Sequence, residues 1–197
     1  MNIKVKVLKD YVSRKGQLKR AGEETDCERD SKFYQSLLEN GFVEKIIRPD
    51  FAKWESRGIK SKLANILIAP YDYIDGDKKY FTWDEAMELE KKLPDGWRLP
   101  TRQEMVLMAE EFGCDSESGE LDGELIRRNL KLGLNGYLSP GGSSPRDVGS
   151  DGYYWSRTAY GSSSAYDFYF LSGDAYPANY NYKYYGYSVR CVKDLEK

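Results

Sequence analysis

An α+β fold is predicted for this 197-residue chain. Three observations predict it. Thr82-Trp83-Asp84-Glu85 and Thr101-Arg102-Gln103-Glu104 are Thr-x-x-Glu signatures, and each opens a run with helical apolar spacing. The short apolar run Asn65-Ile66-Leu67-Ile68-Ala69-Pro70 precedes them and reads as a strand. Everything after Gly152 lacks a helical period and reads as strands and loops. Helices first and strands last is the order of an α+β domain.

Each element has its own local reason. Ile3-Lys4-Val5-Lys6-Val7 alternates with period two, as a half-buried strand does. Ser13-Arg14-Lys15-Gly16 supplies a turn, and Gln17 to Arg20 a second short strand. Ser31 to Glu39 places Phe33, Leu37 and Leu38 near helical spacing, Asn40-Gly41 stops that helix, and Phe42 to Ile47 is extended. Residues 1–47 are therefore expected to form a small ββαβ module, too small for a large core and suited to docking. Residues 48–62, with Pro49, Gly58 and many charges, are expected to link it to a main domain of residues 63–197. There the first capped helix carries Ala86, Leu89 and Leu93 on one side and ends at Pro94-Asp95-Gly96. The second carries Met105, Leu107, Met108 and Phe112 and closes at Gly113. Residues 113–152 are glycine-rich and read as loop. Ser139 to Gly152 lacks the Lys-Ser/Thr ending of a phosphate loop and reads as plain surface.

Composition narrows the function. With 30 basic and 32 acidic residues the net charge is −2, which gives no electrostatic reason to expect nucleic acid. No run approaches the roughly 18 apolar residues of a membrane span, so membrane insertion is not expected. The start MNIKVKVLKDY lacks the apolar core of a signal peptide, which predicts a cytoplasmic or virion location. The chain has no histidine, which removes Ser-His-Asp and Cys-His catalysis and the common zinc and iron sites. Cys27, Cys114 and Cys191 are too widely spaced for a disulfide framework or a zinc pattern and read as structural thiols. No catalytic residue, metal or cofactor is expected.

Four segments carry a resemblance. They are Phe81-Thr82-Trp83-Asp84-Glu85-Ala86, Leu93-Pro94-Asp95-Gly96-Trp97-Arg98-Leu99-Pro100-Thr101, Gly152-Tyr153-Tyr154-Trp155-Ser156 and Tyr187-Ser188-Val189-Arg190-Cys191-Val192. In this order, over about residues 63–194, they resemble the major paralogous domain of Fibrobacter and Bacteroidales proteins. The resemblance implies a C-type lectin fold, with two helices on a small irregular antiparallel sheet. Variable proteins of diversity-generating retroelements, the phage major tropism determinant among them, share that fold and closing motif. In those systems template adenines are randomised, and AAY codons are the usual targets. Their products never include Lys, Glu, Gln, Met or Trp, and residues 156–182 contain none of these. The formylglycine-generating oxidases also share the fold but need a reactive cysteine pair, for which Cys114 and Cys191 are poor candidates. Lectin-type calcium clusters (Glu-Pro-Asn or Trp-Asn-Asp) do not occur in the sequence.

Alternation then separates scaffold from displayed surface. In Ala165 to Leu171, period two puts Tyr166, Phe168 and Phe170 on a face expected to be core. Asp167, Tyr169 and Leu171 fall on the other, which is expected to be displayed, because an unpaired buried charge is costly. By the same logic Arg157, Tyr160, Gly161, Ser162, Ser163, Ser164, Asp174, Tyr176, Tyr180, Tyr182 and Tyr185 are candidate ligand-binding positions. Asn179 and Asn181 fit either mutable sites or fixed turn residues. Eleven of the 17 tyrosines lie between Tyr153 and Tyr187, and Tyr with Ser, Gly and Asn is the palette of antibody paratopes. The sequence thus predicts a non-enzymatic recognition protein with a retroelement-diversified, Tyr-rich site for a protein or glycan. Residues 1–47 would attach it to a phage structural protein. The alternative is a carbohydrate-binding domain of fixed specificity.

Overall fold

The computed structural model describes strands at 2–7, 11–12, 18–19, 24–28 and 43–45, and residues 51–114 and 120–196. The chain divides into two compact units, residues 1–49 with 74–77, and residues 50–73 with 78–197. The described residues together hold few helices and small antiparallel sheets, an α+β construction, and the elements described in the first unit are all strands.

In the first unit, β1 (Asn2–Val7) is the middle strand of an antiparallel sheet. β4 (Glu24–Glu28) lies on one side and β5 (Val43–Lys45) on the other. Val5 stands opposite both Thr25 and Lys45. β2 (Tyr11–Val12) and β3 (Leu18–Lys19) pair as a separate short ladder. Strand β4 was not expected from the sequence, and the turn over 13–16 and the helix over 31–39 fall outside the described residues.

The second unit begins inside the expected linker. α1 (Phe51–Arg57) and β6 (Ile59–Ser61) are regular elements, and Trp54 is completely buried. Its indole packs edge-on to Phe51 at 4.8 Å and to Trp97 at 4.9 Å. A residue contributing this much apolar surface to a core anchors its segment. The charges of this stretch lie on the exposed side of a short helix, which is why it reads as a linker. β7 (Ile66–Ile68), α2 (Trp83–Glu90), β8 (Trp97–Arg98) and α3 (Arg102–Gly113) follow. Both Thr-x-x-Glu signatures are complete capping boxes: the Glu85 and Glu104 amides donate to the Thr hydroxyls, and the Thr82 and Thr101 amides donate back to the carboxylates.

The segment expected to be loop contains another helix, α4 (Gly123–Leu130). The Asp122 carboxylate caps it, accepting from the amides of Glu124 and Leu125 at 2.6 and 3.2 Å. Ile126 and Leu130 are fully buried. A Cβ at Gly123 would lie 1.9 Å from the Leu171 carbonyl oxygen, so the glycine marks a close backbone approach. β9 (Gly152–Ala159), β10 (Ser164–Phe170) and β11 (Ala175–Tyr182) form an antiparallel sheet with β10 in the middle. β12 (Val192–Asp194) returns between β7 and β8 in a sheet ordered β6-β7-β12-β8.

Two apolar clusters fill the unit. One gathers Trp54, Phe81, Trp97, Trp155, Tyr187 and Val189. The other gathers Ile66, Ile68, Met105, Met108, Ile126, Tyr154, Phe168 and Phe170. Polar groups brace the first cluster, and Arg190 joins it to the second. The Trp155 indole donates to the Phe81 carbonyl at 2.8 Å, and the Trp83 indole to the Ser156 carbonyl at 2.8 Å. Arg190 is 3% exposed yet well satisfied. Its guanidinium pairs with Asp72 at 2.6 Å and donates to the carbonyls of Ala69, Leu130 and Lys131. One buried fork thereby ties the end of α4 to the end of β7.

Candidate functional site

The site grows from the central strand β10. Its side chains alternate, and Phe168 and Phe170 enter the core as their spacing requires. Tyr166, expected beside them, is only half-buried, edge-on to Tyr160 at 5.3 Å and under the Arg102 guanidinium at 5.1 Å.

The opposite face departs from expectation. Asp167 is completely buried, so it is not a displayed residue. The physical reason is a second aromatic layer. Trp155 stacks on Tyr187 at 4.3 Å, Tyr187 on Tyr153 at 4.8 Å, Tyr153 on Tyr169 at 4.7 Å, and Tyr169 on Tyr176 at 5.5 Å. In register, Asp167 lies opposite Trp155 on β9 and Asn179 on β11. Neighbouring strands that carry rings on one face cover the short residue between them. Burial is tolerated because side-chain amides replace water. Asn179 donates to the Asp167 carboxylate at 3.1 Å and Asn181 at 3.3 Å. Desolvation nevertheless pushes the Asp167 carboxyl up to about 7, against the opposing pull of those two amides. Among the described residues no ion pair includes Asp167.

Above this layer lies a cavity of about 340 Å³, lined by Tyr137, Asp147, Tyr153, Tyr169, Asn179, Asn181, Tyr185 and Tyr187. The volume is within the range of small-ligand pockets. Tyr137 stands edge-on to Tyr153, Tyr185 and Tyr187 at 5.4, 5.6 and 6.5 Å. The hydroxyls of Tyr153 and Tyr169 both donate to one Asp151 oxygen at 3.2 Å. Burial is the main cause holding both phenols above their ordinary range, and the Asp151 charge adds to it. Burial does the same to Tyr187, with the Asp167 charge next in effect.

The other expected site residues spread around this centre. Tyr169 and Tyr185 line the cavity. Tyr160, Tyr176, Tyr180 and Tyr182 are each about half exposed, and Tyr160 stacks on Tyr180 at 3.9 Å. Gly161, Ser162 and Ser163 are exposed at the β9–β10 turn, and Ser164 is half-buried. Asp174 is exposed and Leu171 half-buried at the β10–β11 turn. Arg157 is exposed and pairs with Glu90 at 3.0 Å.

Sequence reasoning missed Tyr137, Asp147, Tyr153, Tyr184 and Tyr187 and left Asn179 and Asn181 open. A usable signal existed for the two asparagines. Asn179-Tyr180-Asn181-Tyr182 has period two, which puts both amides on one face and both tyrosines on the other. For Tyr137 and Asp147 no local pattern was available, because the φ of 56° at Asp147 and the approach of Gly136 to the Arg146 carbonyl are irregular backbone.

Residues 60–193 match the Fibrobacter succinogenes major domain. No curated protein matches the chain. The match spans well over half of the sequence, so the chain belongs to that family.

Proposed function

We propose that this member of the family is a non-enzymatic recognition protein with a C-type lectin fold that binds its ligand through the tyrosines of β9–β11 and the turns between them. One observation carries the reading. Among the described residues, the exposed large apolar side chains are Leu63, Val148 and five tyrosines, Tyr160, Tyr176, Tyr180, Tyr182 and Tyr184. Exposed aromatic surface concentrated in one region marks an interaction site. Tyrosine supplies large contact area at low side-chain entropy cost. The exposed Gly161-Ser162-Ser163 turn adds small adaptable partners.

Retroelement diversification is our reading of how this surface arose. Its support is the absence of Lys, Glu, Gln, Met and Trp from residues 156–182. On the same reading residues 1–47 form an adaptor that docks the recognition domain onto a phage or prophage particle. Two experiments test these proposals. Wild type and a Tyr160→Ser, Tyr180→Ser, Tyr182→Ser variant are compared for binding to a glycan array and to a panel of bacterial cells. Loss of binding with Tm preserved supports the surface as the site; retained binding, or an unfolded variant, refutes it. Sequencing the flanking DNA decides the origin. The proposal requires a near-identical repeat of the 3′ coding region, differing at adenines, beside a reverse transcriptase gene. A locus with neither removes diversification.

A further inference from the structure

We propose that the cavity beside Asp167 is a binding site for an alkylammonium group, free or at the end of a lysine side chain. The inference rests on the recognition reading and names the ligand chemistry of one part of that surface.

The lining is rich in acceptors. Asn179 and Asn181 line the cavity and spend amide nitrogens on Asp167, so what each side chain has left to offer a ligand includes its carbonyl acceptor. Asp147 places a carboxylate on its wall. Asp151 is engaged with the Tyr153 and Tyr169 hydroxyls, and Asp167 lies directly behind the two asparagines. The residues lining the cavity include neither lysine nor arginine. Asp147 on the wall, with Asp151 and, once ionised, Asp167 behind the lining and no cation among the lining residues, gives a negative field that favours a cation over an anion or an uncharged ligand. The rest of the wall is tyrosine, whose rings attract an organic cation and cover its methylene groups. A primary ammonium brings three donors, matching acceptors that are otherwise left to water.

The buried carboxylate also gives this site a pH response. The groups packed around Asp167 are Trp155 on β9, Asn179 and Asn181 on β11, and Tyr187 before β12. Asp147 and Asp151 are the other acids near the cavity. Tyr187 remains neutral because its hydroxyl is held above its ordinary range. Asp167 is therefore the buried neighbour that ionises near neutrality, while an alkylammonium stays charged to about pH 10.

The test is a titration of the full chain, followed by two-dimensional NMR, with four probes: n-butylammonium, n-butanol, a Gly-Lys-Gly peptide and its Nε-acetyl form. Butylammonium and the lysine peptide are expected to shift the signals of Asn179, Asn181 and the cavity tyrosines. The uncharged probes are expected to have no saturable effect. Butylammonium alone would identify a free amine as the ligand, and tighter binding of the peptide a lysine side chain. Asp167→Asn, which keeps the shape and removes the charge, is expected to weaken binding by about tenfold or more. Affinity of the wild type should rise between about pH 6 and pH 8, and that of the variant should not. Equal binding of n-butanol, or an unchanged affinity in Asp167→Asn, overturns the inference. So does preference for a neutral methyl glycoside added as a fifth probe. The exposed-tyrosine variant reads the outer surface and the butylammonium titration reads the cavity, so either proposal can fail while the other stands.

Discussion

Asp167 shows how one residue can be misread from its pattern and still be informative. Period two places it away from Phe168 and Phe170, which is correct, and that face is nevertheless covered by the Trp155–Tyr187–Tyr153–Tyr169 stack. Its carboxyl binds a proton more tightly in the folded chain than the usual value of 3.8, up to about 7, because burial disfavours the charge. The folded state therefore holds more protons than the unfolded state between those values, so this group's contribution to stability falls as pH rises through that window. At roughly 1.4 kcal/mol per unit, the loss amounts to several kcal/mol once Asp167 is ionised. Asp167→Asn removes the titration. Its stability relative to wild type is expected to climb between about pH 4 and pH 7 and then level off, as read from urea midpoints at a series of pH values. Wild-type and variant curves that run parallel would show that Asp167 is not the buried acid described.

At the scale of elements, the legible parts were those whose cause is local. A capping box lies within four residues, so α2 and α3 could be located at their first residues. α1 and α4 owe their existence to partners distant in sequence. Trp54 is held by Trp97, and α4 is fixed at its start by the close approach of Gly123 to Leu171 and at its end by Arg190. A short helix with a mixed surface gives little periodic signal when its stability comes from tertiary packing. The closing segment Tyr187 to Val192 was readable as a motif, and its reason is now visible in Arg190. Arg190→Lys keeps the charge and loses the planar fork that serves Asp72 and three carbonyls at once. We expect a loss of about 1–3 kcal/mol, the usual cost of leaving buried hydrogen-bond acceptors unpaired. Hydrogen exchange should accelerate first at the end of α4. A variant as stable as wild type, with α4 protected as before, would refute this role for the fork.

For the whole molecule, most residues that build the core differ from those that form the cavity, although Tyr187 belongs to both. Trp83, Trp97 and Trp155 build one apolar cluster and Arg190 ties it to the other, whereas Tyr137, Asp147, Asn179, Asn181 and Tyr185 line the opening. The ligand is therefore to be read from the site and not from the core. The scaffold fixes where the recognition unit begins. Its core uses Trp54 on α1, and β6 is the outer strand of the β6-β7-β12-β8 sheet. A fragment of residues 50–197 is thus expected to unfold in one cooperative transition. A fragment of residues 63–197 removes Trp54, whose truncation alone would cost about 3–5 kcal/mol, together with a strand and the Glu55–Lys193 pair. That exceeds a large share of the stability of an ordinary domain. Thermal melts followed by near-ultraviolet circular dichroism are expected to show a sharp transition for the longer fragment and none, or one far lower, for the shorter. Equal melting of the two would return residues 50–62 to the role of a linker.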